Sequence, residues 1–158
     1  MNEKPSTEKR FVVDSMLGKM AKWMRVLGFD TRYEYLHQLQ QVNQYLAEGL
    51  LVLTKNQRWC ELSGVVCIGA NDPAEQLLEV AAQISLKPGD VHFLKRCILC
   101  NELLAPLPRD HAFGLVPDYV FETQVDFSRC PNCQKIYWSG SHPNRMLKRL
   151  QDVLGWAP

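Results

Sequence analysis

No stretch of this 158-residue chain holds the roughly 18 consecutive apolar residues that a membrane-spanning helix needs, so no membrane association is expected. A net charge of only +1 argues against a wholesale electrostatic grip on nucleic acid. Internal repeats and low-complexity segments are missing, which excludes solenoids and compositionally disordered chains. The first ten residues, MNEKPSTEKR, have no apolar signal core and read as a loose tail. Residence in the cytoplasm, with reduced thiols, is the expectation that follows. What remains is an ordinary globular composition, 46% apolar, enough for one cored domain and a small appendage.

Against that plain background, four of the six cysteines form two C-x-x-C pairs, Cys97/Cys100 and Cys130/Cys133. Each pair brings two thiolates to one ion from a tight turn, and two pairs complete the closed tetrahedral shell of structural zinc. Two disulfides or a redox C-x-x-C are the competing readings; the lack of a signal segment and of a thioredoxin-like context weighs against them. The 29 residues between the pairs (101–129) exceed the usual 15–20 and imply an extended loop or hairpin. Cys60 and Cys67 are expected to be small apolar fillers.

Upstream, RFVVD (10–14) suits a buried strand, and Met16, Leu17, Met20, Trp23, Met24 and Leu27 recur at helical spacing up to Gly28, forming a core stripe. A strand over 29–35, a helix over 37–49, strands at 50–54 and 64–69 and a helix over 73–84 follow. The last has an apolar face of Leu77, Leu78, Val80, Ala81 and Ile84. Read as β-α-β-α-β-α-β-α, this alternation predicts a parallel sheet with helices on both faces. A final helix over 142–154, with Met146, Leu147, Leu150 and Leu154, is expected to pack back on one of the two units.

Open α/β sheets bind ligands at the carboxyl ends of their strands. Asp14, Asn56 and Asp72 end or follow three predicted strands and would share a crevice if those strands are neighbours. Two or three carboxylates there would hold Mg²⁺ or Mn²⁺ and support phosphodiester hydrolysis. Both aspartates also precede helices and are equally good N-caps. Charge is uneven: Lys and Arg minus Asp and Glu gives +2 for residues 1–30, −1 for 31–96, −3 for 97–133 and +3 for 134–158. Lys19, Lys22 and Arg25 share one helix side; with Lys55, Arg58 and Lys135 they are the candidate RNA contacts, a solvated face being the plain alternative. Tyr137 and Trp138 beside Lys135 suit stacking on single-stranded RNA or packing within the ribbon.

The segments FVVDSMLGKMAKWMRVLGFD, LLVLTKNQRW, GAND, RCILCNELL, VPDYVFE and CPNCQKIYWSGSHPNRM resemble, in this order over residues 10–150, the PIN-like ribonuclease family known from the C-terminal domain of the Mut-seven exonuclease. The resemblance implies a PIN-like α/β domain over 10–88, a zinc ribbon over 91–139 and a C-terminal helix within 140–158. Asp14 matches the family's first acid and Asp72 the acid of its Asn-Asp pair. The family's acids at the start of the second helix are replaced by His37-Gln38-Leu39-Gln40-Gln41, and its Thr-Arg-Asp by Thr54-Lys55-Asn56. Asparagine keeps a carbonyl oxygen but brings no charge, so divalent-ion affinity should fall; Glu34 or Glu48 would have to supply a missing acid. Two functions follow from the resemblance. One is a Mg²⁺- or Mn²⁺-dependent ribonuclease using Asp14, Asp72 and Glu34. The other is a non-catalytic relative that binds RNA or a protein through the ribbon and basic C-terminal helix. A zinc protein of unrelated role is the third reading.

Overall fold

The computed structural model describes residues 9–139 and 141–155, without the side chains of 141–144, 146, 147 and 150. Most of the expected N-terminal tail, and the side chains of Met146, Leu147 and Leu150 in the last helix, therefore lie outside what is described.

Strands β1 (Arg10–Asp14), β2 (Asp30–Glu34), β3 (Leu51–Thr54) and β4 (Val65–Cys67) form a wholly parallel sheet in the order β2-β1-β3-β4. Phe11, Val12 and Val13 are fully buried, because helices cover both faces and the central strand must be apolar on each. Phe11 and Val13 pack with Leu53, with Met20 and Met24 of α1 (Gly18–Val26), and with Leu77 and Val80 of α3 (Pro73–Ile84). Val12 and Val52 pack on the other face with Val42 of α2 (Leu39–Ala47) and with Trp59. Each such side chain contributes about 1.5–3 kcal/mol over its exposed state.

Three expectations are corrected. No helix joins β3 to β4; a single 3₁₀ turn, Gln57–Trp59, spans that short link. Met16 leaves the core stripe and is 70% exposed, because a 3₁₀ turn (Ser15–Leu17) precedes α1 and shifts the helical phase. On α3 the polar Gln76 is buried while Leu78 is exposed. Gln76 is satisfied there, its Nε2 donating to the Ala70 and Asn71 carbonyls.

Cys60 and Cys67 are not fillers: they form a disulfide across the β3–β4 link. Closing a loop of this size removes unfolded-chain entropy worth roughly 2–3 kcal/mol. Urea unfolding of Cys60→Ser should show a loss of about that size. Reductant should produce the same loss in the unsubstituted protein and none in the variant; equal stability of all three would contradict this.

The cysteine-rich unit carries an antiparallel sheet, β5-β6-β7 (Ala105–Leu107, Phe127–Arg129, Ile136–Trp138). The 29 residues between the pairs (101–129) form more than the expected loop or hairpin. Besides β5 they hold α4 (Arg109–Ala112) and α5 (Asp118–Thr123) over a small core of Ala112, Val116, Val120 and Phe127. Helix α6 (Ser141–Leu154) lies against α3, and its Arg149 guanidinium sits 5.5 Å above the Trp23 ring. No helix among the described residues is long and apolar enough to cross a membrane.

Candidate functional site

The strand order reverses direction between β1 and β3, and a crevice opens at the carboxyl ends of strands on either side of such a switch point. Asp14 ends β1 and Thr54 ends β3, one step beyond the pairs Val12–Val52 and Val13–Leu53. Thr54 Oγ1 donates to Asp14 Oδ2 at 2.7 Å, while Ser15 N–H (2.8 Å) and Leu36 N–H (3.3 Å) donate to Oδ1. Asp14 is 4% exposed, and these three donors compensate much of what burial takes from a carboxylate.

A cavity of about 390 Å³ lies here, lined by Asp14, Met16, Tyr35, Leu36, His37, Lys55, Asn56 and Arg58. Asn56 Oδ1 caps the Gln57–Trp59 turn by accepting from Arg58 N–H at 3.1 Å, and Thr54 Oγ1 accepts from Asn56 N–H at 3.0 Å. Lys55 Nζ donates to Asn71 Oδ1 at 2.6 Å. Both sulfurs of the Cys60–Cys67 bridge lie against the Asn56 carbonyl oxygen, at 3.6 and 3.9 Å. The loop bearing Lys55, Asn56 and Arg58 is thus tied at its far side. The Tyr35 and His37 rings stack at 4.9 Å with 14° between their planes.

Asp14 and Asn56 therefore meet as the sequence suggested, but Asp72 does not line the crevice. It is the N-cap of α3, accepting from the Ala74 and Glu75 N–H groups at 3.1 and 3.2 Å. Neither spare acid replaces it. Glu34 is in register with Asp14 but does not line the crevice; its charge acts on Tyr45, whose pKa burial and then Glu34 raise. Glu48 pairs with Arg32 at 3.1 Å. Gln41, in the stretch that replaces the acids, closes a capping box on α2 by accepting from the His37 and Gln38 N–H groups.

The charged side chains lining the crevice are one acid, Asp14, against two cations, Lys55 and Arg58, so its fixed charge is positive. A hard divalent cation needs oxygen donors and compensating negative charge. One carboxylate already holding three protein donors, beside two cations, does not fit it. An anion fits better.

The basic face of α1 divides. Lys19 and Lys22 are exposed and line a second cavity. Arg25 is half-buried: its Nε donates to the Thr31 carbonyl at 2.9 Å, and Nη1 donates to the Ile98 and Leu99 carbonyls at 2.8 and 3.3 Å. Burial lowers its pKa despite the nearby Cys97 and Cys100. It clamps the cysteine unit to α1, and its charge is held at the wall of that second cavity. Lys135 lies over the Tyr137 ring at 5.5 Å and borders neither cavity. Tyr137 itself is core, 7% exposed.

The two C-x-x-C turns are built alike. Cys97 N–H donates to Glu102 O and Asn101 N–H to Cys97 O; Cys130 N–H donates to Lys135 O and Gln134 N–H to Cys130 O. Asn101 and Gln134 take matching left-handed φ values of 63° and 68°. Cys100 N–H donates to Cys97 Sγ at 3.4 Å, and Cys133 N–H to Cys130 Sγ at 3.5 Å. All four ligand atoms lie within 4.8 Å of one another, with Cys97 and Cys133 sulfurs 3.6 Å apart. Bonds of about 2.3 Å to a tetrahedral ion require sulfurs about 3.8 Å apart. The four thiols form a group that fits a metal such as zinc.

Burial works against the Cys97 thiolate, but Tyr137 Oη at 3.2 Å and the Cys100 and Leu99 N–H groups outweigh it and bring the thiol down to about 7. At Cys133 the Lys135 N–H favours the thiolate, yet desolvation and the three other sulfurs hold it up at about 11. Tyr137 is raised, first by burial and then by Cys97.

A family model of the Mut7-C RNAse domain matches residues 9–150. The chain belongs to the Mut7-C RNAse domain family. No curated protein matches it at a significant level. Membership makes RNA the implied partner of this Mut7-C domain. Met16, Tyr35, Leu36 and His37 complete the Asp14 crevice, and sequence reasoning had not assigned them to a site. The signal available for Tyr35 and His37 was their place at the end of β2, where ligands collect in such sheets.

Proposed function

We propose that this Mut7-C domain binds single-stranded RNA in the Asp14 crevice and does so without a divalent ion. One observation carries the reading: the crevice joins a positive fixed charge to an exposed stacking pair. Lys55 and Arg58 would hold a backbone phosphate, and the stacked Tyr35–His37 pair would take a base on its outer face. Aromatic stacking of this kind is worth roughly 1–3 kcal/mol per base and tolerates any sequence. Asp14, fixed by Thr54, Ser15 and Leu36, would orient the loop and a ribose hydroxyl. Zinc at Cys97, Cys100, Cys130 and Cys133 would serve structure. The sequence-expected division into a PIN-like domain (10–88), a ribbon (91–139) and a C-terminal helix (140–158) is retained as part of it.

Metal-dependent hydrolysis is the second reading. It is favoured by the retention of Asp14 at the switch point; the donor set around it counts against it.

The test is fluorescence anisotropy with a labelled oligouridylate. Lys55→Glu/Arg58→Glu should weaken binding about tenfold, as expected for two exposed ion pairs. It should also reduce the salt slope by about 0.7, the value for one phosphate contact on a single strand. Unchanged affinity and slope would overturn the reading.

A further inference from the structure

Behind the Ser15–Leu17 turn lies a second cavity of about 350 Å³, lined by Gly18, Lys19, Ala21, Lys22, Arg25 and Tyr33. Three of its six lining residues are cations and none is an acid. Arg25 is half-buried with Nε and Nη1 committed to backbone carbonyls, so its charge is fixed in place. Tyr33 is fixed too, its hydroxyl donating to the Ser15 carbonyl. Gly18 makes room for that ring, since a Cβ there would lie 3.0 Å from the Tyr33 hydroxyl oxygen.

The two cavities are neighbours by construction. Asp14 and Met16 line the first while Gly18 and Lys19 line the second, from opposite ends of one short turn. Tyr35 lines the first and Tyr33 the second, two positions apart at the end of β2. At about 3.3 Å per residue in a strand that is a step of ~6.6 Å. At the wall of the first cavity Met16 is 70% and Tyr35 66% exposed.

We infer that the Lys19–Lys22–Tyr33 cavity is a second phosphate site, occupied by the same RNA strand whose neighbouring phosphate sits against Lys55 and Arg58. The strand leaves the first cavity past Met16 and Tyr35. This rests on the proposed reading of the Asp14 crevice and adds to it a minimum ligand: a single strand with at least two phosphates, not a mononucleotide.

The experiment measures the affinities of uridine monophosphate and of oligouridylates of increasing length. The proteins are the unsubstituted chain, Lys19→Glu/Lys22→Glu and Lys55→Glu/Arg58→Glu, with circular dichroism checking that each variant is folded. Both lysines are exposed, so folding should be kept. Affinity should rise in a step once the strand can reach both cavities. Lys19→Glu/Lys22→Glu should remove that step, weakening long strands about tenfold while leaving the mononucleotide unchanged. The crevice variant should weaken every length. If long strands bind the lysine variant and the unsubstituted chain equally, while the crevice variant still fails, the second site is refuted and the first stands. If no strand binds the unsubstituted chain, the reading of the crevice falls and the second site with it.

Discussion

Removal of zinc is expected to unfold the cysteine-rich unit and to loosen the α1–β2 corner of the parallel sheet in the same transition. The apolar cluster at the metal end is small, Cys97, Cys130 and Tyr137 with Leu94, Ile98, Cys100 and Leu104 around them. Without an ion to bind, thiolates there repel. Structural zinc contributes about 10–16 kcal/mol of apparent binding energy in small metal-folded units, far more than this cluster supplies. The coupling to the sheet follows from named bonds. Asn101 Oδ1 accepts from Thr31 N–H at 2.9 Å and its Nδ2 donates to Asp30 Oδ1 at 2.7 Å, so a residue of the first cysteine turn covers the start of β2. Arg25 reaches the same turn from α1. Chelation followed by hydrogen exchange should therefore expose amides at 97–138 and at 25–33 together. Protection kept at 25–33 while 97–138 opens would show the corner standing alone, and protection kept throughout would refute a structural metal. Loading must also displace a proton from Cys133, whose thiol is held up by desolvation and the neighbouring sulfurs. Binding therefore weakens as pH falls, and acid should release the ion.

Gly28→Ala should be nearly as damaging, although it adds one methyl group. Gly28 has φ +92°, a region that L side chains rarely adopt, and a Cβ would meet the His92 carbonyl oxygen at 2.2 Å. Neither side can yield. His92 N–H donates to Leu27 O at 2.9 Å and Leu94 N–H to Val26 O at 3.0 Å, and Arg96 Nε donates to the Gly28 carbonyl at 3.3 Å. Backbone strain of about 1–3 kcal/mol adds to the loss of two or three hydrogen bonds at about 1 kcal/mol each. A total of roughly 3–6 kcal/mol would place the variant among the severe substitutions. Urea denaturation measures it, and a loss under 1 kcal/mol would mean that the 91–96 segment is free to move.

Much of the parallel sheet was legible because its strands are covered on both faces. RFVVD and LLVLT are therefore near-continuous apolar runs, which only buried strands or buried helices produce. The Asp72 cap was equally legible, since an aspartate before a proline is a strong helix start and Asp72 is used as one. What escaped depends on partners distant in sequence or on small shifts of phase. Arg25 shares a helix side with two lysines, and only the fold brings it to Ile98 and Leu99, 73 and 74 residues away. Met16 fits the helical stripe until a 3₁₀ turn rotates it outward. The Cys60–Cys67 pairing depends on a β3–β4 link too short for the helix that the alternation implied. In the crevice, Asp14 and Asn56 were visible as a strand-end pair. The Tyr35–His37 stack carried no motif, and its partner stretch of glutamines turned out to serve helix capping.

The decisive measurement is Mn²⁺ dependence. Labelled single-stranded RNA is incubated with the zinc-loaded protein in buffer freed of other divalent ions, then titrated with Mn²⁺, with affinity and strand integrity followed together. Binding of equal strength with and without Mn²⁺, and RNA that stays whole, is the result expected of a crevice whose fixed charge is positive. Cleavage that begins with Mn²⁺ and is abolished by Asp14→Ala would contradict it and establish a metal-dependent ribonuclease in its place.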